Sequence, residues 1–293
     1  MILNNETICA IATRVGGALS VIRVSGSQAL ACVDSIFVSL SGKKLVQCCA
    51  NTLHYGTVYS PCKHTGGNLP VVGVEGKCAI DDVVVSLWRA PHSYTGEDVV
   101  EISCHGSEYI ASNIIQALIG AGCRQAGPGE FTMRAYLNGK MDLSQAEAVA
   151  DLIAANNKAS HDLAVSQLKG HFSSELGQLR EQLLKLTSLL ELELDFSDHE
   201  DLEFADRSEI KSLSETICGK LKSLTDSFET GQALKQGIPV AIVGKTNVGK
   251  STLLNLLLNE DKAIVSDIDG TTRDTIDGTA VIKGVTFRFV DTA

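Results

Sequence analysis

The sequence predicts a multidomain chain, α+β and then α/β: an α+β N-terminal segment, part of a helical bundle, and the first elements of an α/β sheet. Three observations predict it. The hydrophobic period changes from two to 3.6 at Asp142, an uninterrupted apolar run begins after Gly237, and a glycine-rich loop separates that run from an apolar helix. The expected domains are therefore residues 1–141, 142–236 and 237–293. At 293 residues the chain has room for two domains and a fragment of a third.

In the first segment, Thr7–Ala12 and Leu19–Val24 are short β-rich runs, the second closed by Ser25-Gly26. Val83–Trp88 and Val99–Ser103 repeat the pattern on either side of a loop from Ala90 to Asp98. Glu108–Gly120 reads as a helix, with Ile110, Ile114, Ala117 and Leu118 at helical spacing and Gly122 near its stop. A turn follows at Gly127-Pro128-Gly129. From Asp142, Ser144 and Glu147 fit a capping box ahead of the stripe Ala146, Val149, Ala150 and Ile153. Leu176, Leu179, Leu183, Leu186 and Leu190 form a second stripe, and Ile210, Leu213, Ile217, Leu221, Leu224 and Phe228 a third. Such stripes need partner helices, so the expectation is a packed bundle in which the leucines are core rather than ligand-binding. The acidic break at Asp195–Asp206 reads as a solvated loop. Ile238–Val243 has the character of a buried parallel strand, Ser251–Leu258 of a helix, and Val281–Val290 of a hairpin turning at Lys283-Gly284.

Composition narrows the function classes. With 44% hydrophobic and 20% charged residues the chain is a folded protein rather than a disordered one. Its longest apolar runs are too short to span a bilayer, and Asn4, Asn5 and Glu6 stand where a secretory signal needs positive charge, so a cytoplasmic protein is expected. Nine scattered cysteines without a CxxC pair predict reduced thiols rather than a zinc ribbon or disulfide framework. Cys104 and His105 adjoin on a strand and so point to opposite faces, a poor nucleophile–base pair. The net charge is −10, of which residues 143–236, with 9 basic and 17 acidic side chains, supply −8. A broad basic nucleic-acid surface is therefore not expected.

The strongest motif is Gly244-Lys245-Thr246-Asn247-Val248-Gly249-Lys250-Ser251, a GxxxxGK[ST] phosphate loop lying between an apolar strand and a helix, the context it requires. Its glycines let the backbone wrap phosphates, its N–H groups and the helix N-terminus supply positive potential, Lys250 reaches the β- and γ-phosphates, and Ser251 ligates Mg2+. Asp269-Gly270-Thr271-Thr272-Arg273-Asp274 follows, with a threonine placed to give a second Mg2+ ligand from a switch loop. Phe289-Val290-Asp291-Thr292-Ala293 ends an apolar strand in an aspartate of Walker-B type. Strand, loop, helix, loop, hairpin is the order in which a Ras-like nucleotide domain begins. The motifs thus give as nucleotide-binding candidates Asn247, Val248, Gly249, Lys250 and Ser251, then Asp269, Gly270, Thr271 and Thr272, and finally Asp291, Thr292 and Ala293.

These motifs resemble the G1, G2 and incomplete G3 elements of the TrmE-Era-EngA group of GTPases. Within that group, Ile22–Gly26, Ser93–Asp98, Gly127–Thr132 and Leu137–Ala148 resemble the MnmE (TrmE) family of tRNA-modification GTPases, so the likeness runs along the whole chain. The resemblance implies a GTPase that acts with the flavoprotein MnmG on carbon 5 of the tRNA wobble uridine, using a one-carbon unit carried on tetrahydrofolate. It implies an N-terminal domain that binds 5-formyltetrahydrofolate or methylenetetrahydrofolate and forms a homodimer, with Arg23, Glu101 and Lys140 as its folate contacts. Read alone, those three are ordinary surface ion-pair or snorkelling side chains. It further implies a K+-dependent G domain with Asn247, Ser266, Ile268 and Thr271 around K+, Ser251 and Thr272 on Mg2+, and Thr252, Ser266, Asp267 and Ile268 as further GTP contacts. A desolvated monovalent cation near the β–γ bridge would neutralise developing charge as an arginine finger does.

The sequence as given stops at Ala293, short of the family's switch-II glutamate, NKxD motif and C-terminal cysteine motif, so it is expected to be a poor GTPase or none, with exposed sheet edges. A ribosome-assembly GTPase of the Era or EngA kind would share GTTRD but not the N-terminal strings. A P-loop ATPase is disfavoured by GTTRD, and a non-catalytic folate-binding dimer module is what these residues alone would amount to.

Overall fold

A computed structural model of the chain describes residues 6–14, 16–61, 77–195, 207–244, 249–260 and 276–291. They form two compact units, residues 1–142 and 143–293.

The first unit is built on alternating apolar sequences that make strands with one buried face. Its elements are β1 (Ile8–Ile11), β2 (Leu19–Ser25), α1 (Ala29–Ile36), β3 (Phe37–Ser39), β4 (Thr52–Pro61), β5 (Lys77–Trp88), β6 (Val99–His105), α2 (Glu108–Gly120), β7 (Arg124–Gln125) and α3 (Glu130–Leu137). They give a mixed α+β fold with a seven-stranded sheet in the order β3-β4-β5-β6-β2-β1-β7. Every pairing is antiparallel except β1 with β7. Ile22, Val24, Val85, Leu87, Val100 and Ile102 point to one face, where they meet Val33 of α1 and Ile114 and Leu118 of α2 in a core sealed from solvent. The alternate residues Arg23, Ser86, Glu101 and Ser103 therefore lie on the opposite face.

Two strands run longer than the sequence suggests: β5 starts at Lys77 and β6 ends at His105. Pairing with β4 holds the polar beginning of β5, from Pro61↔Lys77 onward. Gly56 of β4 lies under the Phe37 ring and against the Val38 carbonyl, an approach that leaves no room for a side chain. Among the described residues seven cysteines are free thiols, whereas Cys78 is disulfide-bonded, against the expectation of reduced thiols throughout. Spacing along the chain does not report which thiols a fold brings together. Cys104 is buried and His105 exposed; the His105 ring and backbone N–H both bind Asp81 at 2.8 Å, so the pair is no nucleophile–base couple. Burial, and then the Asp81 charge, raises the Cys104 thiol above its usual range.

The second unit is helical, with a small sheet. It comprises α4 (Leu143–Ala154), α5 (Lys158–Leu168), α6 (His171–Asp195), α7 (Arg207–Gln236), β8 (Ile238–Ile242), α8 (Lys250–Glu260), β9 (Ile276–Ile282) and β10 (Val285–Asp291). α4 begins at Leu143, one residue before the serine expected to cap it. Leu179 of α6 and Ile217 of α7 are buried, but Leu176, Leu183, Leu190, Leu221 and Phe228 are 44 to 64% exposed. The apolar stripes are thus only partly covered among the described residues, because two helices meeting along one line bury a narrower strip than a full bundle does.

The sheet has the order β8-β10-β9, with β8 parallel and β9 antiparallel to β10. Leu254, Ala280 and Phe289 form its core against α8. The β9–β10 turn is Lys283-Gly284, both with positive φ (51° and 82°), as a two-residue hairpin demands. This hairpin docks on α5. Asn157 caps α5 by accepting from the Ser160 N–H at 2.8 Å, and its amide donates to the buried Thr286 hydroxyl at 2.7 Å. The Ala159 N–H donates to the Gly284 carbonyl at 3.2 Å. No helix among the described residues is long and apolar enough to cross a membrane.

Candidate functional site

The open face of the first unit's sheet carries a charged pair in an aromatic setting. Arg23 of β2 and Glu101 of β6 are directly opposed in register, so their side chains leave the sheet together. The Arg23 Nε–H donates to Glu101 Oε1 at 2.8 Å, and Nη2 lies 2.7 Å from the same oxygen. Both are about three-quarters buried, at 25% and 23% exposure, so the pair is screened less than a surface one. The guanidinium carbon sits 4.9 Å from the centre of the Tyr94 ring and 5.7 Å from that of Phe131, both within cation–π range. The cleft therefore offers one carboxylate, guanidinium donors and flat apolar faces, which suits a planar heteroaromatic ring with an N–H edge.

Lys140 reaches the cleft's rim rather than its centre. α3 ends in a left-handed Gly139 (φ 69°), and the Lys140 N–H closes back on the Ala135 carbonyl at 2.9 Å. The exposed Lys140 ammonium donates to the Pro91 carbonyl at 3.1 Å, in the same 90–98 loop that carries Tyr94. Arg23 and Glu101 are thus in contact, and Lys140 joins them through the loop.

Sequence reasoning missed the parts that hold this cleft. Arg134 is only 3% exposed and donates to both oxygens of Glu97 (3.2 and 3.1 Å), to the Glu6 carbonyl (2.9 Å) and to Glu130 Oε1 (3.2 Å). Its i,i+4 spacing from Glu130 was the one signal available. Arg124 hydrogen bonds, opposed by burial and reinforced by the Gly127 N–H and Arg134, hold the Glu130 carboxyl down to about 2. A folded value below the ordinary one gives stability that is complete above pH ~4.5 and is lost as the pH falls towards 2. The wild type is expected to lose on the order of 2 kcal/mol more than Glu130→Gln between pH 6 and pH 3. Denaturant titrations at the two pH values check this; parallel losses in both proteins would refute it.

In the second unit, Gly249 has φ 94° and α8 starts at once with Lys250 and Ser251; Thr252 is exposed. The side chains of Lys250, Ser251 and Asp291 are not among those described, though their backbones lie in α8 and β10. Asn247, Val248, Ser266, Asp267, Ile268, Asp269, Gly270, Thr271, Thr272, Thr292 and Ala293 lie outside the described residues. Register nevertheless brings two motifs to one end of the sheet. Asp291, the last residue of β10, pairs with Ile242, the last of β8, from which the glycine-rich loop departs. Carboxyl ends of parallel strands are where such folds bind ligands.

Comparison with known proteins covers both units. Residues 7–140 match the family model described as GTP-binding protein TrmE N-terminus, and residues 143–285 match the MnmE helical domain. The tRNA modification GTPase MnmE of Phocaeicola vulgatus is 55% identical over an alignment 309 residues long, which covers 99% of this chain and 62% of the relative. The proteins of the same name from Bacteroides fragilis and Flavobacterium johnsoniae are 57% and 54% identical over 292 residues, each covering 99% of this chain and 59% of the relative. The chain spans about 60% of the length of these curated relatives. On those matches, which run from the first strand to the last hairpin, the chain belongs to the MnmE (TrmE) family.

Proposed function

We propose that residues 1–141 are a folate-binding and dimerisation domain, 142–236 the first part of a helical domain, and 237–293 the start of a Ras-like G domain. The whole protein would hydrolyse GTP in carbon-5 modification of the tRNA wobble uridine, as a cytoplasmic homodimer working with an MnmG-type flavoprotein. The observation that supports the GTPase reading is the Asp291–Ile242 register, which pairs the last residue of β10 with the end of the strand from which the glycine-rich loop departs.

In this reading Lys250 and the loop N–H groups hold the phosphates, Ser251 and Thr272 hold Mg2+, and Asn247, Ser266, Ile268 and Thr271 hold K+. Bound K+ would supply positive charge near the β–γ bridge once two G domains meet. In the N-terminal unit, Glu101 would accept from the N–H edge of a pterin, Tyr94 and Phe131 would cover its faces, and Arg23 and Lys140 would take carbonyl or carboxylate oxygens. The tetrahydrofolate would contribute the one-carbon unit; the chain's residues orient it.

GTP hydrolysis by a chain of the relatives' full length, compared in KCl and NaCl at equal ionic strength, tests the G-domain part. At least a tenfold advantage for K+ is expected, and equal rates would leave only a generic Mg2+-GTPase. Calorimetric titration of the present chain with 5-formyltetrahydrofolate tests the other part. Binding that is lost in Glu101→Ala is expected, and no binding by the wild type would remove the folate reading.

A further inference from the structure

We propose that Arg134 is a positioning residue for the Arg23 cleft: from inside the core it holds Glu97, and through Glu97 it sets the distance at which Tyr94 and Phe131 stand from the guanidinium. The inference rests on reading that cleft as a folate-type ligand site.

The three elements that carry the cleft meet at Glu97. The Ser25 hydroxyl, two residues beyond Arg23 on β2, donates to Glu97 Oε2 at 2.7 Å and lies 2.7 Å from the Thr95 hydroxyl. Glu97 is three residues beyond Tyr94 in the loop. Arg134 is three residues beyond Phe131 on α3, hence on the same side of the helix. The Arg134–Glu97 pair therefore ties the helix bearing one aromatic wall to the loop bearing the other. Two weaker ties run parallel to it: the Tyr94 and Thr132 hydroxyls are 2.8 Å apart, and the Asn138 amide donates to the Thr95 carbonyl at 2.7 Å. Gly96 completes the closure, since a Cβ there would stand 3.1 Å from Asn138 Cβ and 3.3 Å from Lys140 Cγ.

A stability role alone does not account for this choice of residue. Burying a guanidinium and a carboxylate together returns little net stability against an apolar pair of the same volume. Arg134 also leaves its buried Nε–H without a partner, a cost that an apolar side chain would avoid. What only an arginine provides is a rigid fork that grips Glu97 at both oxygens while its other arm fixes the Glu6 carbonyl and Glu130.

The test is calorimetric titration of the present chain with 5-formyltetrahydrofolate, beside thermal unfolding of each variant. Arg134→Met is expected to weaken binding at least tenfold, and Arg134→Lys, which keeps the charge but not the fork, to recover part of the loss. Leu118→Ala, a substitution in the core on the sheet face opposite Arg23, should lower Tm without changing Kd, which separates positioning from general destabilisation. If Arg134→Met does not fold, Glu97→Gln, at a 27% exposed side chain, serves instead and should weaken binding about fivefold. Wild-type affinity in Arg134→Met and Glu97→Gln would overturn the positioning role while leaving the folate reading intact. Failure of the wild type itself to bind would instead sink the folate reading. Amide exchange of residues 90–98 would then decide the positioning role: faster exchange in Arg134→Met than in Leu118→Ala supports it, and equal exchange overturns it.

Discussion

Replacing Lys250 with alanine in a chain of the relatives' full length is expected to lower GTP hydrolysis by at least about 100-fold, some 2.7 kcal/mol of transition-state stabilisation. Phosphoryl transfer asks little covalent chemistry of the protein, so the barrier falls mainly through charge placed at the β- and γ-phosphate oxygens. Gly249 is left-handed and α8 starts at once with Lys250, so the motif lysine opens a helix whose N-terminus itself carries positive potential. Single-turnover hydrolysis together with binding of a fluorescent GTP analogue would separate lost chemistry from lost affinity. Unchanged rates would mean that the loop does not hold the reacting phosphates.

Gly56→Ala is expected to cost the N-terminal unit at least about 3 kcal/mol, a large share of the 5–15 kcal/mol that holds an ordinary domain. The added Cβ would lie 2.2 Å from the Val38 carbonyl oxygen and 2.8 Å from two carbons of the Phe37 ring. The ring could rotate, but the carbonyl belongs to the neighbouring strand, whose Val38 is paired with Thr57 beside Gly56. Relief therefore requires β3 to leave the sheet edge. A drop in Tm of roughly 8 °C or more should follow, while Gly120→Ala, where nothing lies within 4 Å, should be near neutral. Equal melting of wild type and Gly56→Ala would show that β3 does not pair in solution.

Local pattern was readable wherever one residue type does one job. Helix α2 falls at the residues that periodicity predicts, and the Lys283-Gly284 hairpin follows from its turn chemistry. Arg23 and Glu101 were singled out only through resemblance, and their mutual contact was not legible, because the cross-strand register that creates it joins residues 78 apart. Tyr94 and Phe131 stood inside the strings that carried the likeness, yet no local feature distinguished them from core aromatics. Arg134 was the least legible of all, since nothing in a helix reading EFTMRAYL announces that its arginine turns inward. The partial exposure of the leucine stripes shows the converse limit: a period reports that a face wants burial, not how much of it a given pair of helices covers.

The Asn157 bridge also bears on where the polypeptide can be cut. The chain divides into its two compact units between Asp142 and Leu143. Cleavage at Gly237 would fall inside the second, whose parts stay joined because the hydroxyl of Thr286 and the carbonyl of Gly284 complete the cap of α5 from the far side of that point. Removing residues 237–293 would leave the Asn157 amide and the Ala159 N–H to find water instead. The segment that carries the GxxxxGK[ST] motif is in this sense a structural part of the helical unit whatever it binds, and a stable core recovered by limited proteolysis should retain both together.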